Sequence, residues 1–433
     1  MQCGYALRRV GFVLFMALLC GCAAERRGPA PYPVLEDSPP DLRARMAAHL
    51  GENLFSYWLV HSVDEGYGGF LTDLARDGTP RPGKKMLVTQ ARLLWTFSRM
   101  WRAGYHDPRI RAGAEAGLGF LREHFWDDAH DGWFWQVGRD GTPDDMNKKT
   151  YGQAFTVYAL TEYSRAFNEP AALELAARTF EALEAHAKDP SNPGYRDFMD
   201  RQWRPVEGPF GSTKTMNTHL HLMEAFTELY AETGDDLHGQ RLREMLDILV
   251  EKCYLSEYGC CIDGFNYDWT PSTNSWFGPR NRMTSYGHNV EFAWLMQRAV
   301  RVLGLPEARY REIGLTLVDH ALRYGWAEQA GAMRFGGPWR GPATRRDFEW
   351  WVQAENAVAL DWASRATGEP RYLRALRRQV VWLLNRQSDG EFGGWYSNIG
   401  PDGEVSNPAK ATAWHGAYHA VRACLNVGRG RLD

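Results

Sequence analysis

The chain has 433 residues, 44% of them hydrophobic, and a formal net charge of −3. This length and apolar content suffice for one large hydrophobic core or two ordinary ones. The nearly balanced charge gives no basis for a nucleic-acid partner or for electrostatic binding to a membrane surface. By their spacing, the cysteines in the body of the chain fit neither a disulfide framework nor a zinc site. We expect them to be buried as small apolar side chains, at Cys253, Cys260, Cys261 and Cys424.

The N-terminal segment has the features of a targeting signal. Arg8 and Arg9 precede the apolar run Val10–Leu19, which is shorter than the roughly 20 apolar residues needed to span a bilayer. The run ends in Leu-Cys-Gly-Cys, which resembles a bacterial lipobox and predicts lipidation of Cys22; the alternative is an ordinary secretory signal. We predict three regions: a lipoprotein signal peptide over 1–21, a flexible tether over 22–40, and a single folded domain over 41–433.

Lipidation of Cys22 would attach the domain to a membrane through its lipid alone. The residues that follow are rich in proline, alanine and arginine, so they bury little surface and are expected to be extended. The predicted location is therefore the bacterial cell envelope, in the periplasm or on the outer surface.

A glycine–aromatic turn recurs along the body of the chain. Successive copies are roughly 62 to 72 residues apart, a longer period than that of the small solenoid repeats. Several copies are followed by an Asp-Gly dipeptide, which between two short strands predicts a β-hairpin. The anchoring glycines are Gly68, Gly132, Gly194, Gly259, Gly331 and Gly393.

The segments between these turns have helical periodicity. Leu87, Ala91 and Leu94 share one helix face, and glycine or proline follows the apolar runs. Each interval has room for two helices of ordinary length. Six such units predict an all-α (α/α)6 barrel, with short β-hairpins in the loops at one mouth and site residues near the N-termini of the inner helices. An open helical solenoid is the alternative.

Three stretches place histidines beside polar or aromatic residues. His288 and Glu291 stand three apart and share a helix face, where a carboxylate can fix the tautomer of an imidazole and raise its basicity. Most pairs of this kind are simple structural hydrogen bonds. However, His221 lies in a second polar stretch, and His419 follows Trp414 in a third. Their spread over half the chain indicates a site assembled by folding.

Aromatic residues are abundant beside polar ones. Most of the 18 tryptophans are expected to fill the core between helices, but the adjacent Trp350 and Trp351 cannot both face one core stripe. Flat rings beside carboxylates and amides suit sugars, whose C–H faces stack while their hydroxyls need hydrogen bonds. Arg92 interrupts an apolar run and is expected either to pair with a core carboxylate or to reach a substrate oxygen.

Together these stretches resemble the N-acylglucosamine 2-epimerase superfamily, and within it most closely the cellobiose 2-epimerases, which include mannobiose-active members. The resemblance covers essentially all of the chain after the tether. It departs from the family pattern before Tyr418, where His415, Gly416 and Ala417 replace a segment that usually carries a proline. The matching stretches are Lys149–Tyr163, Asn217–Leu222, Tyr286–Glu291, Trp350–Glu355, and Trp414 with Tyr418–His419.

The resemblance implies a role for each matching residue. The family fold is an (α/α)6 barrel, in agreement with the repeat count. His288 and His419 correspond to the two general acid/base histidines, one for each face of the substrate's C2, and Glu291 supports His288. The implied substrate contacts are His221 and Asn217 near O1 and C2, Arg92 and Tyr151 on the open-chain oxygens, and Trp350, Trp351 and Trp414 on the sugar rings. No metal or other cofactor is implied.

The predicted reaction is epimerisation at C2 of the reducing-end sugar of a β-1,4-linked disaccharide, by a monomer. Cellobiose would give glucosyl-mannose, or mannobiose would give mannosyl-glucose. After ring opening, one histidine removes the C2 proton to leave a cis-enediol, and the other returns a proton to the opposite face. The alternatives are a mannose (aldose–ketose) isomerase on the same scaffold, a glycoside hydrolase using two of Asp347, Glu349 and Glu355, and a non-catalytic sugar-binding lipoprotein.

Overall fold

The computed structural model describes residues 39–208, 213–272 and 282–432. The predicted signal peptide, Cys22 and all but the last two residues of the predicted tether lie outside them. In chain order the helices are α1 (Pro39–His49), α2 (Phe55–His61), α3 (Leu87–Arg102), α4 (Pro108–Phe120), α5 (Thr150–Phe167), α6 (Pro170–Ala182), α7 (Met216–Thr233), α8 (Asp236–Ile248), α9 (Tyr286–Val302), α10 (Glu307–Tyr324), α11 (Trp350–Thr367), α12 (Pro370–Trp382) and α13 (Tyr418–Arg429).

The helices form two concentric rings. The inner ring consists of the odd-numbered helices from α3 to α13, and each packs against the next in this series. Helix α13 packs back against α3, which closes the ring. The outer ring consists of the even-numbered helices from α4 to α12 together with the α1–α2 pair. Closure confirms the (α/α)6 prediction and excludes the open solenoid.

Inner and outer helices differ in how much of their surface is buried. In α12 the buried Tyr372, Leu376 and Val380 recur every four residues, while Arg371 and Arg374 face solvent. This single stripe is typical of a helix that covers a core from one side. In the inner helix α11, by contrast, every residue from Val352 to Ala363 is buried. Among the described residues no helix combines the length and apolarity needed to cross a bilayer.

Short strands join the repeats at one mouth of the barrel. They are β1 (Lys85–Met86), β2 (Gln136–Val137), β3 (Pro143–Asp145), β4 (Lys148–Lys149), β5 (Phe198–Met199), β6 (Lys214–Thr215), β7 (Tyr254–Leu255), β8 (Cys260–Cys261), β9 (Gly264–Phe265), β10 (Met283–Ser285), β11 (Trp326–Ala327), β12 (Ala332–Met333), β13 (Gly336–Pro338), β14 (Phe348–Glu349), β15 (Asn398–Ile399) and β16 (Val405–Asn407).

The strand before an inner helix pairs with a strand of the following repeat. The antiparallel pairs β1–β2, β4–β5, β6–β9, β10–β13 and β14–β15 follow this rule. A bridge between Leu74 and Ala411 joins the last repeat to the first. The start of each inner helix is therefore held by its neighbour, which fixes the position of side chains in the first turn.

The predicted glycine repeat is confirmed in the backbone. All six anchoring glycines have φ between 72° and 84°, in the left-handed region that a side chain disfavours. At Gly132 an added Cβ would also lie 2.4 Å from the Trp203 ring. Each glycine lies in a small turn directly after an outer helix, so the period in sequence reports the period of the fold.

Buried amides on the inner helices fasten these turns. The Gln153 Nε2 donates to the carbonyl of Trp133 at 2.8 Å, and its Oε1 accepts from the Trp133 N–H at 3.0 Å. Gln90 makes the same pair of bonds with Phe70, and Gln353 with Met333. These side chains satisfy backbone groups that the turn leaves unpaired, which explains polar residues on fully buried helices.

The cysteines are buried and unpaired. Cys253, Cys260, Cys261 and Cys424 are all buried, as predicted, and each is a free thiol in the structure. Burial raises the pKa of the Cys260 thiol from 9.0 to about 12, so the thiol remains protonated and unreactive at neutral pH.

A buried ion pair ties β4 to the preceding turn. The Lys148 Nζ lies 3.1 Å from the Asp127 carboxylate, which also accepts two hydrogen bonds from Arg201 at 2.9 and 3.0 Å. Burial by itself raises the pKa of Asp127, but the hydrogen bonds from Arg201 and the charge of Lys148 lower it overall from 3.8 to about 2. The folded pKa is below the unfolded one, so this contribution to stability is complete above about pH 4 and is lost as the pH falls towards 2.

We expect Asp127→Asn to lower the free energy of unfolding at pH 7 by about 3 kcal/mol, because the substitution leaves the buried Lys148 amine without its compensating carboxylate. The difference from wild type should shrink at pH 3. Urea denaturation at both pH values measures it. Asp247→Asn is the control, since it removes an exposed pair with Arg243 and should cost no more than about 0.5 kcal/mol. Equal losses for the two variants would contradict the role given to the buried pair.

Candidate active site

A cavity of about 410 Å³ opens at the mouth where the inner helices begin. It is lined by residues of all six inner helices and by the strands and loops around them. Of the ten predicted catalytic and substrate-binding residues, nine line it: Arg92, Tyr151, His221, His288, Glu291, Trp350, Trp351, Trp414 and His419. Asn217 is not among the lining residues.

The local fold explains this convergence. Tyr151, His288, Trp350 and His419 all lie within the first three residues of their helices. Because these N-termini meet at one mouth, their side chains point into a common space. The unpaired N–H groups of the first turns also give this end of the barrel a partial positive charge, which favours an oxyanion.

His419 is oriented by a buried carboxylate. Its Nδ1–H donates to Glu355 Oε1 at 2.6 Å, and the indole Nε1 of Trp294 donates to the other oxygen of Glu355 at 2.9 Å. Burial lowers the pKa of His419 from 6.5 to about 3, although the Glu355 hydrogen bond opposes this shift. The ring is neutral at pH 7, with its Nε2 lone pair available to a ligand.

His221 is oriented in the same way from another helix. Its Nδ1–H donates to Glu224 Oε2 at 2.8 Å, one helical turn away on α7. The other oxygen of Glu224 accepts from the Tyr418 hydroxyl at 2.6 Å. Burial lowers the pKa of His221, while Glu224 raises it. This imidazole also presents its remaining nitrogen to a ligand.

His288 has an aromatic neighbour instead of a carboxylate. Its ring lies 4.8 Å from the Trp351 ring at an interplanar angle of 36°, and Trp351 lies 6.0 Å from His419. Burial, followed by the proximity of His221 and His419, lowers the pKa of His288 from 6.5 to about 3. Trp351 therefore contacts both proposed acid/base histidines, each of which is neutral at pH 7.

The expected support of His288 by Glu291 is wrong. Although Glu291 follows His288 by one turn, its carboxylate accepts from Arg422 Nη2 at 2.7 Å, and the histidine nitrogen beside it is the Nδ1 of His419, at 4.0 Å. The guanidinium attracts the carboxylate across the barrel, and this tertiary contact overrides the local spacing. The carboxylate that orients an acid/base histidine is Glu355, on α11.

Arg422 lies at the centre of a buried charge cluster. Its Nη2 donates to Glu291 and also to Glu355, at 2.8 Å, and its Nη1 donates to Glu224. Burial and the charge of Glu355 raise the pKa of Glu291 well above 4.5. Glu355 has the opposite shift: burial raises its pKa, but Arg422 and His419 lower it overall to about 2. One guanidinium thus serves three carboxylates, of which Glu291 retains a proton most readily.

Arg92 has no carboxylate partner among the described residues. Its Nη2 donates to the Tyr151 hydroxyl at 2.9 Å, and its guanidinium lies 4.3 Å from the Phe155 ring centre. Its buried Nε has no hydrogen-bond partner in the described chain. Of the two predicted alternatives for Arg92, the geometry favours contact with a ligand oxygen. Asn217 does not line the cavity, but its side chain lies near enough to Tyr151 to lower the pKa of that hydroxyl, which burial raises overall.

The three predicted tryptophans have different environments. Trp414 is 51% exposed and stands at the edge of the cavity. Trp351 is half-buried, and its Nε1 donates to Glu349 Oε2 at 2.9 Å. Trp350 is buried against His415, with ring centres 4.5 Å apart. Only part of Trp350 can therefore reach a ligand, while Trp351 and Trp414 offer larger surfaces.

Several residues of the site were not predicted from sequence. Arg422 interrupts the apolar run Ala420–Leu425, which is the same signal that drew attention to Arg92. From the sequence, Glu355 is expected only as a candidate hydrolase carboxylate. Asn398 and Asn407 also line the cavity, from strands too short to give a pattern.

Three groups in the cluster could also serve as metal ligands. Atoms of Glu291, Glu355 and His419 lie within 4.8 Å of one another. However, Arg422 already donates to both carboxylates. The guanidinium supplies the positive charge that a cation would bring, so the donor set is satisfied within the protein.

Comparison with known proteins gives extensive similarity. The sequence profile described as N-acylglucosamine 2-epimerase (GlcNAc 2-epimerase) matches residues 68–423. The cellobiose 2-epimerase of Bacteroides fragilis is 28% identical over 396 residues, which cover 89% of this chain and 98% of the relative. The D-mannose isomerase of Marinomonas mediterranea is 23% identical, over 89% of this chain and 97% of that protein.

The fold is similar to solved structures as well. The cellobiose 2-epimerase of Spirochaeta thermophila DSM 6192 superposes with a TM-score of 0.82 at 30% identity, covering 90% of this chain and 97% of that one. The profile match begins at the first glycine turn and ends in α13, so it includes every inner helix.

Proposed function

Because this chain belongs to the N-acylglucosamine 2-epimerase family, we propose that it inverts C2 of the reducing-end sugar of a β-1,4-linked disaccharide, without a cofactor. The protein is a carbohydrate epimerase of the isomerase class. The proposed conversions are cellobiose to glucosyl-mannose and mannobiose to mannosyl-glucose. The observation that carries the proposal is the pair of neutral imidazoles, His288 and His419, that line one cavity from different helices and contact the same indole.

Inversion at C2 of the reducing-end sugar requires a site with two acid/base groups. The C2 hydrogen is acidic only when the ring opens and C1 becomes an aldehyde. A neutral base then removes the proton and leaves a planar cis-enediol. To invert C2, a second acid must return a proton from the other side of the plane, because the bound intermediate cannot readily turn over. In the proposal His288 and His419, which line the cavity from different helices, are these two groups.

In the proposed mechanism His419 acts through Nε2. Its Nδ1 is occupied by Glu355, so Nε2 carries the lone pair that accepts the substrate proton. Glu355 keeps its charge and stabilises the imidazolium that forms, in the manner of a carboxylate–histidine pair. His288 acts from the other side, where Trp351 supports its ring and limits its orientation. Each histidine serves as base for one epimer and as acid for the other.

Arg92 is the proposed stabiliser of the developing negative charge. It is a buried cation whose Nε has no partner in the described chain, and it lines the cavity beside Tyr151 and His221. Donors fixed in a site sheltered from water stabilise an enediolate without having to reorganise during the reaction. The Tyr151 hydroxyl and the His221 imidazole, which line the same cavity, are the proposed ligands of the C1 and C2 oxygens.

A mannose-type isomerase is the second candidate, favoured by the similarity to a D-mannose isomerase. It would form the same enediol but return the proton to C1. A glycoside hydrolase requires two carboxylates about 5 to 9.5 Å apart that are available to the substrate. Glu355 does not fit that role, because Arg422, Trp294 and His419 all donate to it.

NMR in deuterated water distinguishes these reactions. Cellobiose, mannobiose and free mannose are incubated separately with the protein. The proposal expects the C2 epimer of a disaccharide to appear, with deuterium at C2. Conversion of mannose to its ketose, with both disaccharides unchanged, would favour the isomerase, and release of monosaccharides would favour the hydrolase.

We also propose that the protein acts as a monomer that is held in the bacterial cell envelope by a lipid on Cys22. The lipobox-like sequence before this residue supports the proposal. Mass spectrometry of the protein purified from a bacterial host should find an acylated Cys22 as the mature N-terminus. A Cys22→Ala variant should lack the lipid and leave the membrane fraction. An unmodified N-terminus downstream of residue 22 would contradict the anchor.

A further inference from the structure

A row of polar side chains crosses the three-stranded sheet β14–β15–β16. Glu349 lies directly opposite Asn398, and Asn398 lies directly opposite Asn407. Residues that are opposite one another in adjacent strands project from the same face of the sheet. With strands about 4.8 Å apart, the row spans about 10 Å. All three residues line the cavity, so one edge of the cavity is a continuous strip of carboxylate and amide groups.

The row lies beyond Trp351 as seen from the histidines. The indole ring lies against His288, while its Nε1 donates to Glu349 Oε2 at 2.9 Å. One indole therefore separates the proposed base from the first residue of the row. This places the row beside the part of a ligand that extends away from the reacting carbon.

The hydrogen-bonding groups of the row are not fully used within the protein. Asn398 Oδ1 has no hydrogen-bond partner among the described residues. The other oxygen of Glu349, Oε1, is 3.7 Å from Arg345 Nη2, which is an ion-pair distance without a short hydrogen bond. The Asn398 amide can rotate about its last side-chain bond, so its Oδ1 can turn towards a ligand. The row can therefore offer oxygen acceptors to hydroxyl donors in the cavity.

The first repeat contains an equivalent sheet with a different row. In β1–β2–β3 the opposite residues are Met86, Gln136 and Asp145, and none of them lines the cavity. Met86 and Glu349 both stand directly before an inner helix. The first sheet thus forms with methionine in the position of Glu349. The fold by itself therefore does not require the polar row that lines the cavity.

We propose that Glu349, Asn398 and Asn407 bind hydroxyls of the sugar unit beyond the reacting one and thereby select neutral disaccharides. The inference rests on the proposed function, because it assigns the reducing end to the histidine side of Trp351. An outer unit with free hydroxyls can donate to the acceptors of the row. A uronate in the same position would bring a second carboxylate against Glu349, so uronates are rejected.

Binding of methyl β-cellobioside tests the row separately from the reaction. The methyl group blocks ring opening, so affinity is measured by calorimetry without turnover. Asn398→Ala should weaken binding of this glycoside about fivefold, as expected for loss of one hydrogen bond, while binding of methyl β-glucoside should change less than twofold. Gln136→Ala is the matched control, because it removes an amide at the equivalent position of the first sheet, and it should leave both affinities unchanged.

A second variant covers the case in which Asn398→Ala does not fold. Glu349→Gln keeps an acceptor for the Trp351 indole but removes the charge. It should increase the affinity for the analogue of methyl β-cellobioside in which the outer glucose is replaced by glucuronic acid. The affinity for the neutral methyl β-cellobioside should change by a smaller factor. Unchanged discrimination between neutral and acidic glycosides would overturn the proposal, as would an equal loss on both neutral glycosides for Asn398→Ala.

The outcome is separable from that of the epimerase proposal. If disaccharides exchange at C2 but the variants bind as wild type does, the row is wrong and the reaction stands. The variants could instead lose disaccharide binding as expected while the wild type exchanges no C2 hydrogen. The sugar-binding role of the row would then be supported, and the proposed epimerisation would be wrong.

Discussion

Replacing Arg422 with methionine should lower the free energy of unfolding by about 3 to 5 kcal/mol, because it leaves buried carboxylates without their cation. The guanidinium donates to Glu224, Glu291 and Glu355, which lie on three other inner helices. Methionine fills a similar volume but provides no charge. The loss is therefore electrostatic, and it should be seen as a lower urea midpoint with an unchanged slope.

The same variant should lose activity for a reason other than instability. Arg422 is the largest of the influences that lower the pKa of Glu355. Without it, burial raises that pKa and favours the protonated acid. A protonated Glu355 no longer fixes the Nδ1–H tautomer of His419 or stabilises its imidazolium. We expect epimerisation to fall at least about 100-fold under conditions where the variant remains folded.

Arg298→Met is the matched control for Arg422→Met. Arg298 also joins two inner helices through a carboxylate, Glu228, but Arg165 pairs with the same carboxylate and would remain. We expect a loss of about 1 kcal/mol and wild-type turnover. The account would be contradicted if Arg422→Met, measured while folded, epimerised at the wild-type rate.

Substituting either proposed acid/base histidine should stop net epimerisation in both directions. Each turnover uses one histidine as base and the other as acid, so His288→Asn and His419→Asn should each lose about 10²- to 10⁴-fold. The rates are measured by NMR from each epimer separately. His186→Asn is the control, since this histidine is exposed on the outer side of the barrel, and it should retain wild-type turnover.

The fold could be predicted because each repeat contains a short sequence pattern that identifies its turn. The left-handed glycines recur at nearly constant intervals, and each has a conformation that other residues disfavour. The prediction of a closed ring depended on the number of repeats, since no individual residue indicates closure. Its physical cause, the bridge between Leu74 and Ala411 and the packing of α13 on α3, joins opposite ends of the chain and leaves no trace in local sequence.

The site was predicted where residues could be recognised by type and spacing, and less well where long-range pairing decides. Nine of the ten residues singled out meet in one cavity. Glu291 was paired with His288 because helical spacing makes them neighbours, but a guanidinium 131 residues away determines its orientation. A single arginine in an apolar helix does not reveal which carboxylates it serves until the helices are brought together.

The row across β14–β15–β16 could not be read from sequence for a different reason. Each strand is two or three residues long, too short to show alternation. Glu349 and Asn398 are brought opposite each other only by the pairing between one repeat and the next. The residues proposed to select the substrate therefore lie on the connections between helices, while the predicted acid/base histidines lie on the helices.

Deuterium incorporation at C2, measured for each epimer with each single histidine variant, tests the two-base account most directly. A variant that keeps one histidine can still remove the C2 hydrogen that faces it and return deuterium to the same face, although it cannot invert the carbon. The account predicts that His288→Asn and His419→Asn exchange opposite epimers. Loss of exchange with both epimers in both variants, or wild-type epimerisation by either one, would contradict it.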